Sequence, residues 1–139
     1  MTPWWRDRWL PPVWLAGVLI AIGYGALQGG HMLPLTTLAL LILVYPVLEE
    51  VVFRGVIQPA LLEVSQGRSV GPLTLANILT SGLFAAMHLI NHLPLHAALV
   101  FLPSLLFGLF RDRSGSILPG MILHVSWNAA VFLAAGLTT

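Results

Sequence analysis

Apolar residues run along almost the whole chain in five stretches that are separated by short polar or glycine-rich connections. The stretches cover about residues 11–28, 33–64, 70–91, 95–110 and 116–137. A helix needs about 20 consecutive apolar residues to cross the hydrocarbon core of a bilayer. The pattern therefore predicts an all-α fold, a polytopic membrane helix bundle with about five transmembrane helices, as one domain over residues 1–139.

The second apolar stretch is too long for one straight helix perpendicular to the membrane. Pro46 lies inside it, and a proline in a helix removes a backbone hydrogen bond and disturbs the preceding turn. We therefore predict a long second helix that is kinked at Pro46, one turn before Glu49, with local space opened around the carboxylates. By the same argument, Pro103 predicts an interruption of the fourth stretch.

The composition excludes a soluble protein. The 139 residues are 58% hydrophobic and 8% charged, and the mean hydropathy is +0.91, whereas a soluble domain carries about 25% charged residues. Cysteine is absent, which excludes disulfides, thiol catalysis and thiolate metal sites. The arginines are scattered or paired and form no basic patch for nucleic acid.

The positions of the arginines predict the orientation of the bundle. Arg6 and Arg8 stand among three tryptophans, a mixture typical of an interfacial anchor. With five spans, these two, Arg68, and the pair Arg111 and Arg113 all fall on the same side of the membrane. The positive-inside rule then places the N-terminus in the cytoplasm and the C-terminus outside.

Three ionisable residues interrupt the second apolar stretch, namely Glu49, Glu50 and Arg54. Charged side chains at bilayer depth are costly and are rarely retained without a partner or a function. On a helix, Glu50 and Arg54 lie on one face and can pair, whereas Glu49 points about 100° away with its carboxylate free. The residues are either a buried ion-pair cluster that fixes helix packing or a site with one glutamate available for chemistry.

Polar residues also recur in the third and fifth stretches. His88, His92 and His96 are spaced by four, and on one helix they would form a stripe about 12 Å long that cannot surround one metal ion. Pro94 disfavours a helix that continues past His92. We therefore take His88 as a functional candidate and His92 and His96 as interfacial or packing residues. His124 and Asn128 share a helix face that should point into the bundle.

The polar residues of the apolar stretches form three motifs in the order EExxxR, FxxxH and HxxxN. They are Glu49, Glu50 and Arg54; Phe84 and His88; and His124 and Asn128. On these motifs, the sequence resembles the CPBP intramembrane endopeptidases, also called the ABI or type II CAAX protease family, a family of glutamic proteases. The resemblance covers about residues 35–135, the core domain of the family, and the short chain is similar to minimal bacterial members.

The resemblance implies a role for each motif residue. Glu49 would be the general base that activates a water, and His88 would help to hold and polarise that water. His124 and Asn128 would stabilise the oxyanion of the tetrahedral intermediate. The supporting residues would be Glu50, Arg54 and Phe84. This allocation agrees with the chemistry of the residues, because a chain without cysteine and without a serine triad needs an activated water to hydrolyse a peptide.

A zinc enzyme is the alternative mechanism. Two histidines and a carboxylate form a reasonable catalytic zinc site, and Glu49, His88 and His124 would supply them. No additional carboxylate that would orient the histidines is evident in the sequence. We therefore predict the metal-free glutamate mechanism, without a cofactor, and keep zinc as the alternative.

The resemblance implies an endopeptidase that cuts a membrane-anchored protein or peptide near its membrane-associated, C-terminal tail. Some bacterial members of the family process C-terminal sorting signals, so the bacterial inner membrane is the expected location. The expected partners are this substrate and the lipid bilayer, and not nucleic acid. Two alternatives are a non-enzymatic scaffold or peptide-binding protein and an ion or proton carrier; the absence of an internal repeat weighs against the carrier.

Overall fold

A computed structural model describes residues 1 and 3–138. After a short 3-10 turn, Trp4–Arg6, five helices follow in this part of the chain. They are α1, Leu10–Gln28; α2, Leu35–Val64; α3, Leu75–His88; α4, Pro94–Ser114; and α5, Leu118–Leu137. A two-stranded antiparallel hairpin between α2 and α3 pairs β1, Ser69–Val70, with β2, Leu73–Thr74. The predicted all-α bundle of about five helices is confirmed.

Four of the five helices in the described residues, namely α1, α2, α4 and α5, are long and apolar enough to cross a membrane. Helix α3 is apolar but has only 14 residues, fewer than the roughly 20 that a perpendicular span needs. The predicted third stretch, 70–91, was therefore wrong at both ends. Residues 69–74 form the hairpin, and the Thr74 hydroxyl caps the start of α3 by accepting from the Asn77 N–H.

The predicted interruption at Pro103 was also wrong. Helix α4 continues through Pro103 and ends only at Ser114, where Gly115 adopts a left-handed conformation with φ of 71°. A proline is tolerated inside a membrane helix when neighbouring helices hold it in place, and α4 packs against α3 on one side and α5 on another.

Helix α1 packs along α5 at close range. A side-chain carbon added at Gly17 would overlap the Trp127 ring, and one added at Gly25 would overlap the backbone of Val131. These two glycines allow the helices to approach as small residues do in membrane bundles. The apolar core beside this contact consists of Ala21, Phe107, Phe110, Leu123 and Trp127.

The bundle carries polar residues inside and large apolar residues outside. Buried polar side chains include Glu50, Arg54, Gln58, Asn77, Thr80, Ser81, Ser104 and His124. Large exposed apolar residues occur on every helix, for example Ile20 on α1, Leu43 on α2 and Leu102 on α4. This distribution suits a protein surrounded by lipid and agrees with an integral membrane protein.

The arginine-bearing segments lie together at one end of the bundle. Arg113 Nε donates at 2.7 Å to Asp7, which stands between Arg6 and Arg8 in the sequence. The Thr74 hydroxyl, at the end of the hairpin that follows Arg68, donates to Asp112 at 2.7 Å. The sequence-based threading placed the same segments on one side. That this side faces the cytoplasm stays a prediction.

Candidate active site

Glu49 and Glu50 lie on an α-helical segment of α2, Tyr45–Val52, between two π-helical turns. The first π turn, Leu40–Val44, comes directly before this segment, and the second, Phe53–Ile57, directly after it. Pro46 lies just beyond the first turn, where we predicted a kink. The structure shows that the disturbance of the helix at this proline takes the form of a widened turn, a recognised cause of helix bending.

Glu50 and Arg54 form a fully buried ion pair. Arg54 Nη1 lies 3.3 Å from Glu50 Oε1, and both side chains are 0% exposed. Arg54 Nη2 also donates to the carbonyl oxygen of Ser104 at 2.8 Å and to its hydroxyl group. The predicted pairing of Glu50 with Arg54 is confirmed, and Ser104 on α4 is a second partner of Arg54.

His124 lies between the two glutamates. Its Nδ1 donates to Glu50 Oε1 at 3.0 Å, and its Nε2 lies 3.6 Å from Glu49 Oε2. The Glu50 carboxylate can only accept, so it fixes the proton on Nδ1 and the orientation of the ring. The Glu49 side chain is 25% exposed, so the two adjacent carboxylates occupy different environments.

Phe84 connects His88 to the rest of the site. Its buried ring lies 4.7 Å from the His88 ring and 5.8 Å from the His124 ring, between centroids, and the Arg54 guanidinium lies 5.0 Å from its centroid. His88 Nδ1 is 2.9 Å from the Phe84 carbonyl oxygen. The Phe84 carbonyl can only accept, so in the neutral ring the proton lies on Nδ1, and Nε2 can accept a hydrogen bond from a water.

Asn128 lies one turn beyond His124 on α5. Its Nδ2 donates to the carbonyl oxygen of Leu41 at 3.0 Å, across to the first π turn of α2. A side-chain amide has two N–H donors, so this contact uses one and leaves the other for a ligand. The structure thus brings Glu49 and His124 together and places Asn128 one turn further along α5, against the first π turn of α2.

The three histidines spaced by four do not lie on one helix. Helix α3 ends at His88 and α4 begins at Pro94, so the chain folds back between them. The ring centroids are 5.8 Å apart for His88 and His92, 6.2 Å for His88 and His96, and 4.4 Å for His92 and His96. The argument that these rings are spread over about 12 Å of one helix was therefore wrong, although His96 does pack, as expected, against Tyr24 on α1.

The reason for preferring the metal-free mechanism was also wrong. The sequence showed no carboxylate to orient a metal-binding histidine, but Glu50 accepts from His124 Nδ1, the contact that metal-binding histidines commonly make. The zinc alternative nevertheless fits incompletely, since no three His, Asp or Glu side chains within residues 1 and 3–138 are arranged to hold a metal ion. Absence of a cofactor stays a prediction.

Several buried polar residues near the site escaped the sequence analysis. Gln58 continues the four-residue spacing of Glu50 and Arg54, and its Nε2 donates to Asp112 on α4 at 2.7 Å; the spacing could have revealed it. Ser104 had no such signal, because an isolated serine in an apolar helix is common. Gly120 on α5 leaves room for Glu50, whose Oε2 would lie 2.7 Å from a side-chain carbon at that position.

Fold and site together define an integral membrane helix bundle with a buried carboxylate and imidazole centre. A family model described as type II CAAX prenyl endopeptidase Rce1-like matches residues 30–130. The chain belongs to this family of membrane proteases, which confirms the resemblance drawn from the three motifs. Comparison with curated proteins and with solved structures gave no match.

Proposed function

We propose that the protein is a glutamate-dependent intramembrane endopeptidase that cuts a membrane-anchored substrate near its membrane-associated, C-terminal tail. The observation that carries this proposal is the difference between the two adjacent glutamates. Glu50 is 0% exposed and is paired with Arg54 and His124, whereas Glu49 is 25% exposed and lies on the Nε2 side of His124. Glu49 is therefore the carboxylate that a water can reach.

In the proposed reaction, Glu49 removes a proton from a water that His88 Nε2 helps to hold. The water oxygen forms a bond to the scissile carbonyl carbon, and the carbonyl π electrons move to its oxygen. Asn128 donates its second amide N–H to this oxyanion, and His124 can donate from Nε2 when its ring carries both protons. Collapse of the intermediate breaks the C–N bond, and the proton held by Glu49 passes to the leaving amine.

The supporting residues keep this arrangement in place. Arg54 holds Glu50, and Glu50 holds the ring of His124 through Nδ1. Phe84 packs between Arg54 and His88. Preorganised donors of this kind are effective because they do not have to reorient as charge develops.

The substrate and the location belong to the same proposal. The apolar outer surface of the bundle allows a single-span protein to approach laterally through the bilayer, and the family supports a tail-proximal bond. We propose the bacterial inner membrane as the location, because the chain resembles minimal bacterial members of the family. The arginine distribution supports an N-terminus in the cytoplasm.

The first test compares cleavage by the wild type and by Glu49→Gln, purified in lipid nanodiscs, on a panel of single-span tail peptides read by mass spectrometry. We expect the wild type to cut at one bond and Glu49→Gln to lose at least about a thousandfold in rate, since the base is removed. Glu63→Gln, an exposed glutamate on the same helix, is the control and should keep full activity.

Equal cleavage by wild type and Glu49→Gln would show that Glu49 is not the base. If both proteins bind a tail peptide and neither cleaves it, the result would instead support a non-enzymatic scaffold or peptide-binding protein. A chelator added to the active wild type separates the two chemistries, because a zinc enzyme should lose activity and regain it with metal, whereas the glutamate enzyme should be unaffected.

A further inference from the structure

The first π turn of α2 releases one backbone carbonyl from the helix. The Tyr45 N–H bonds to the Leu40 carbonyl, five residues earlier, and not to that of Leu41. In the same widened register, the Leu41 carbonyl would bond to residue 46. Residue 46 is a proline and has no N–H, so the Leu41 carbonyl is left without a backbone donor. Asn128 Nδ2 donates to it at 3.0 Å.

The second π turn repeats this arrangement one proline later. The Gln58 N–H bonds to the Phe53 carbonyl, and the next residue that could serve the Arg54 carbonyl is Pro59. That carbonyl accepts from Arg111 Nε at 3.1 Å. Two prolines in one helix thus each free a carbonyl, and in each case a side chain from another helix takes it.

We propose that Pro46 is a positioning residue for Asn128. By lacking an N–H, it reserves the Leu41 carbonyl for the Asn128 amide, and this contact fixes the plane of that amide. The inference rests on the proposed role of Asn128 as an oxyanion donor. Pro59 instead leaves the Arg54 backbone carbonyl to Arg111, and Arg111 is not among the side chains proposed to contact the substrate.

The membrane environment strengthens this coupling. A carbonyl in the hydrocarbon region that has no backbone donor must find another partner, since no bulk water is there to replace it. The Leu41 carbonyl and the Asn128 amide therefore satisfy each other, and neither the first π turn nor the amide is free to rotate independently. His124, one turn earlier on α5, is held in the same way by Glu50, so both candidate oxyanion donors are anchored to α2.

Pro46→Ala tests the proposal, and Pro59→Ala is its matched control. The N–H restored by Pro46→Ala competes with Asn128 for the carbonyls of the first π turn, so Asn128 should lose its anchor. We expect kcat to fall about 10- to 100-fold, because a misplaced group costs about this much, with KM within about twofold because substrate binding is not altered. Pro59→Ala makes the same chemical change one π turn away and should keep kcat within about threefold of the wild type.

Two further comparisons separate positioning from simple destabilisation. In a background of Asn128→Ala, Pro46→Ala should cause no further loss of kcat, because the group it positions is already absent. In the Pro46→Ala protein, the α-hydroxy acid analogue of the new residue turns its backbone amide into an ester. The ester has no N–H and no proline ring, so it should recover kcat. Additive losses, or no recovery, would overturn the proposal.

An infrared measurement tests the contact without any enzyme assay. The carbonyl of Leu41 is labelled with ¹³C and ¹⁸O, and its stretching frequency is compared with and without Asn128→Ala. We expect the substitution to shift the band in the protein with Pro46 and to leave it unshifted with Pro46→Ala. A shift of equal size in both proteins would overturn the proposal. The infrared measurement needs no cleavage of a peptide, so it tests the contact even if the proposed protease function is wrong.

Discussion

At the residue scale, the site contains two neighbouring glutamates with different roles, Glu49 as the proposed base and Glu50 as a structural residue. Helical geometry turns Glu49 and Glu50 about 100° apart, and the packing of α5 against α2 then gives them different surroundings. Glu50 Oε1 lies against both the Arg54 guanidinium and the His124 imidazole. Glu49 contacts the same imidazole on its Nε2 side.

A stability comparison distinguishes these tasks. Glu50→Gln should destabilise the protein by about 3–5 kcal/mol, because it leaves the buried Arg54 charge uncompensated. Glu49→Gln makes the same chemical change on a partly exposed side chain and should alter the unfolding midpoint little. Thermal unfolding of both variants in the same detergent measures this difference, and equal midpoints would contradict the assignment of Glu50 as the structural member of the pair.

At the element scale, glycines decide how closely α1 and α5 approach. A side-chain carbon at Gly25 would overlap the Val131 backbone, which cannot move aside as a flexible side chain could, whereas one at Gly23 would meet nothing within 4 Å. The two positions lie on the same helix, half a turn apart, so they form a matched pair.

We expect Gly25→Ala to destabilise the bundle by about 1–3 kcal/mol through overpacking. Gly23→Ala should be neutral or stabilising by up to about 1 kcal/mol, since alanine favours helix. Thermal unfolding in detergent checks both. If Gly25→Ala unfolded at the same temperature as Gly23→Ala, the close contact between α1 and α5 would not be present in the membrane protein.

At the scale of the whole molecule, the N-terminal segment is tied to the end of α4. Asp7 receives two hydrogen bonds from Arg113, at 2.7 and 3.0 Å. The hydrogen bond from Arg113 lowers the pKa of the Asp7 carboxyl below its ordinary value and outweighs the opposing effect of burial. The N-terminal tryptophans are thereby fixed at one end of the bundle.

This ion pair predicts a pH dependence of stability. Because the pKa of Asp7 is lower in the folded protein than in the unfolded chain, its stabilising contribution is complete above the unfolded pKa and is lost as the pH falls through the folded one. Arg113 is 42% exposed, so the contribution should be at most about 1 kcal/mol. Asp7→Asn should lower the unfolding midpoint at neutral pH and show a smaller further decrease on acidification than the wild type does.

The orientation can be tested with single cysteines, because the natural chain has none. Ser69→Cys lies in the hairpin at the arginine-bearing end, and Asn91→Cys lies in the connection between α3 and α4; both positions are exposed. In intact bacterial cells, a membrane-impermeant maleimide should label Asn91→Cys and leave Ser69→Cys unlabelled until the cells are opened. The reverse labelling pattern would show that the N-terminus lies outside the cell.

The sequence by itself determined the class of fold, the family and the candidate residues. Long apolar stretches can be satisfied only as membrane helices, and a few ionisable residues inside them stand out against that background. The pairing of Glu50 with Arg54 also followed from spacing alone, since both lie on one helix.

Contacts between helices were decided only by the tertiary structure. That Glu50 orients His124, that Ser104 completes the Arg54 contact, and that His92 and His96 gather beside His88 all depend on how separate elements pack or on where a helix ends. Local patterns carry no distance between residues far apart in the chain. The sequence therefore identified which side chains could perform the chemistry, and the packing of α2, α4 and α5 decided which of them meet.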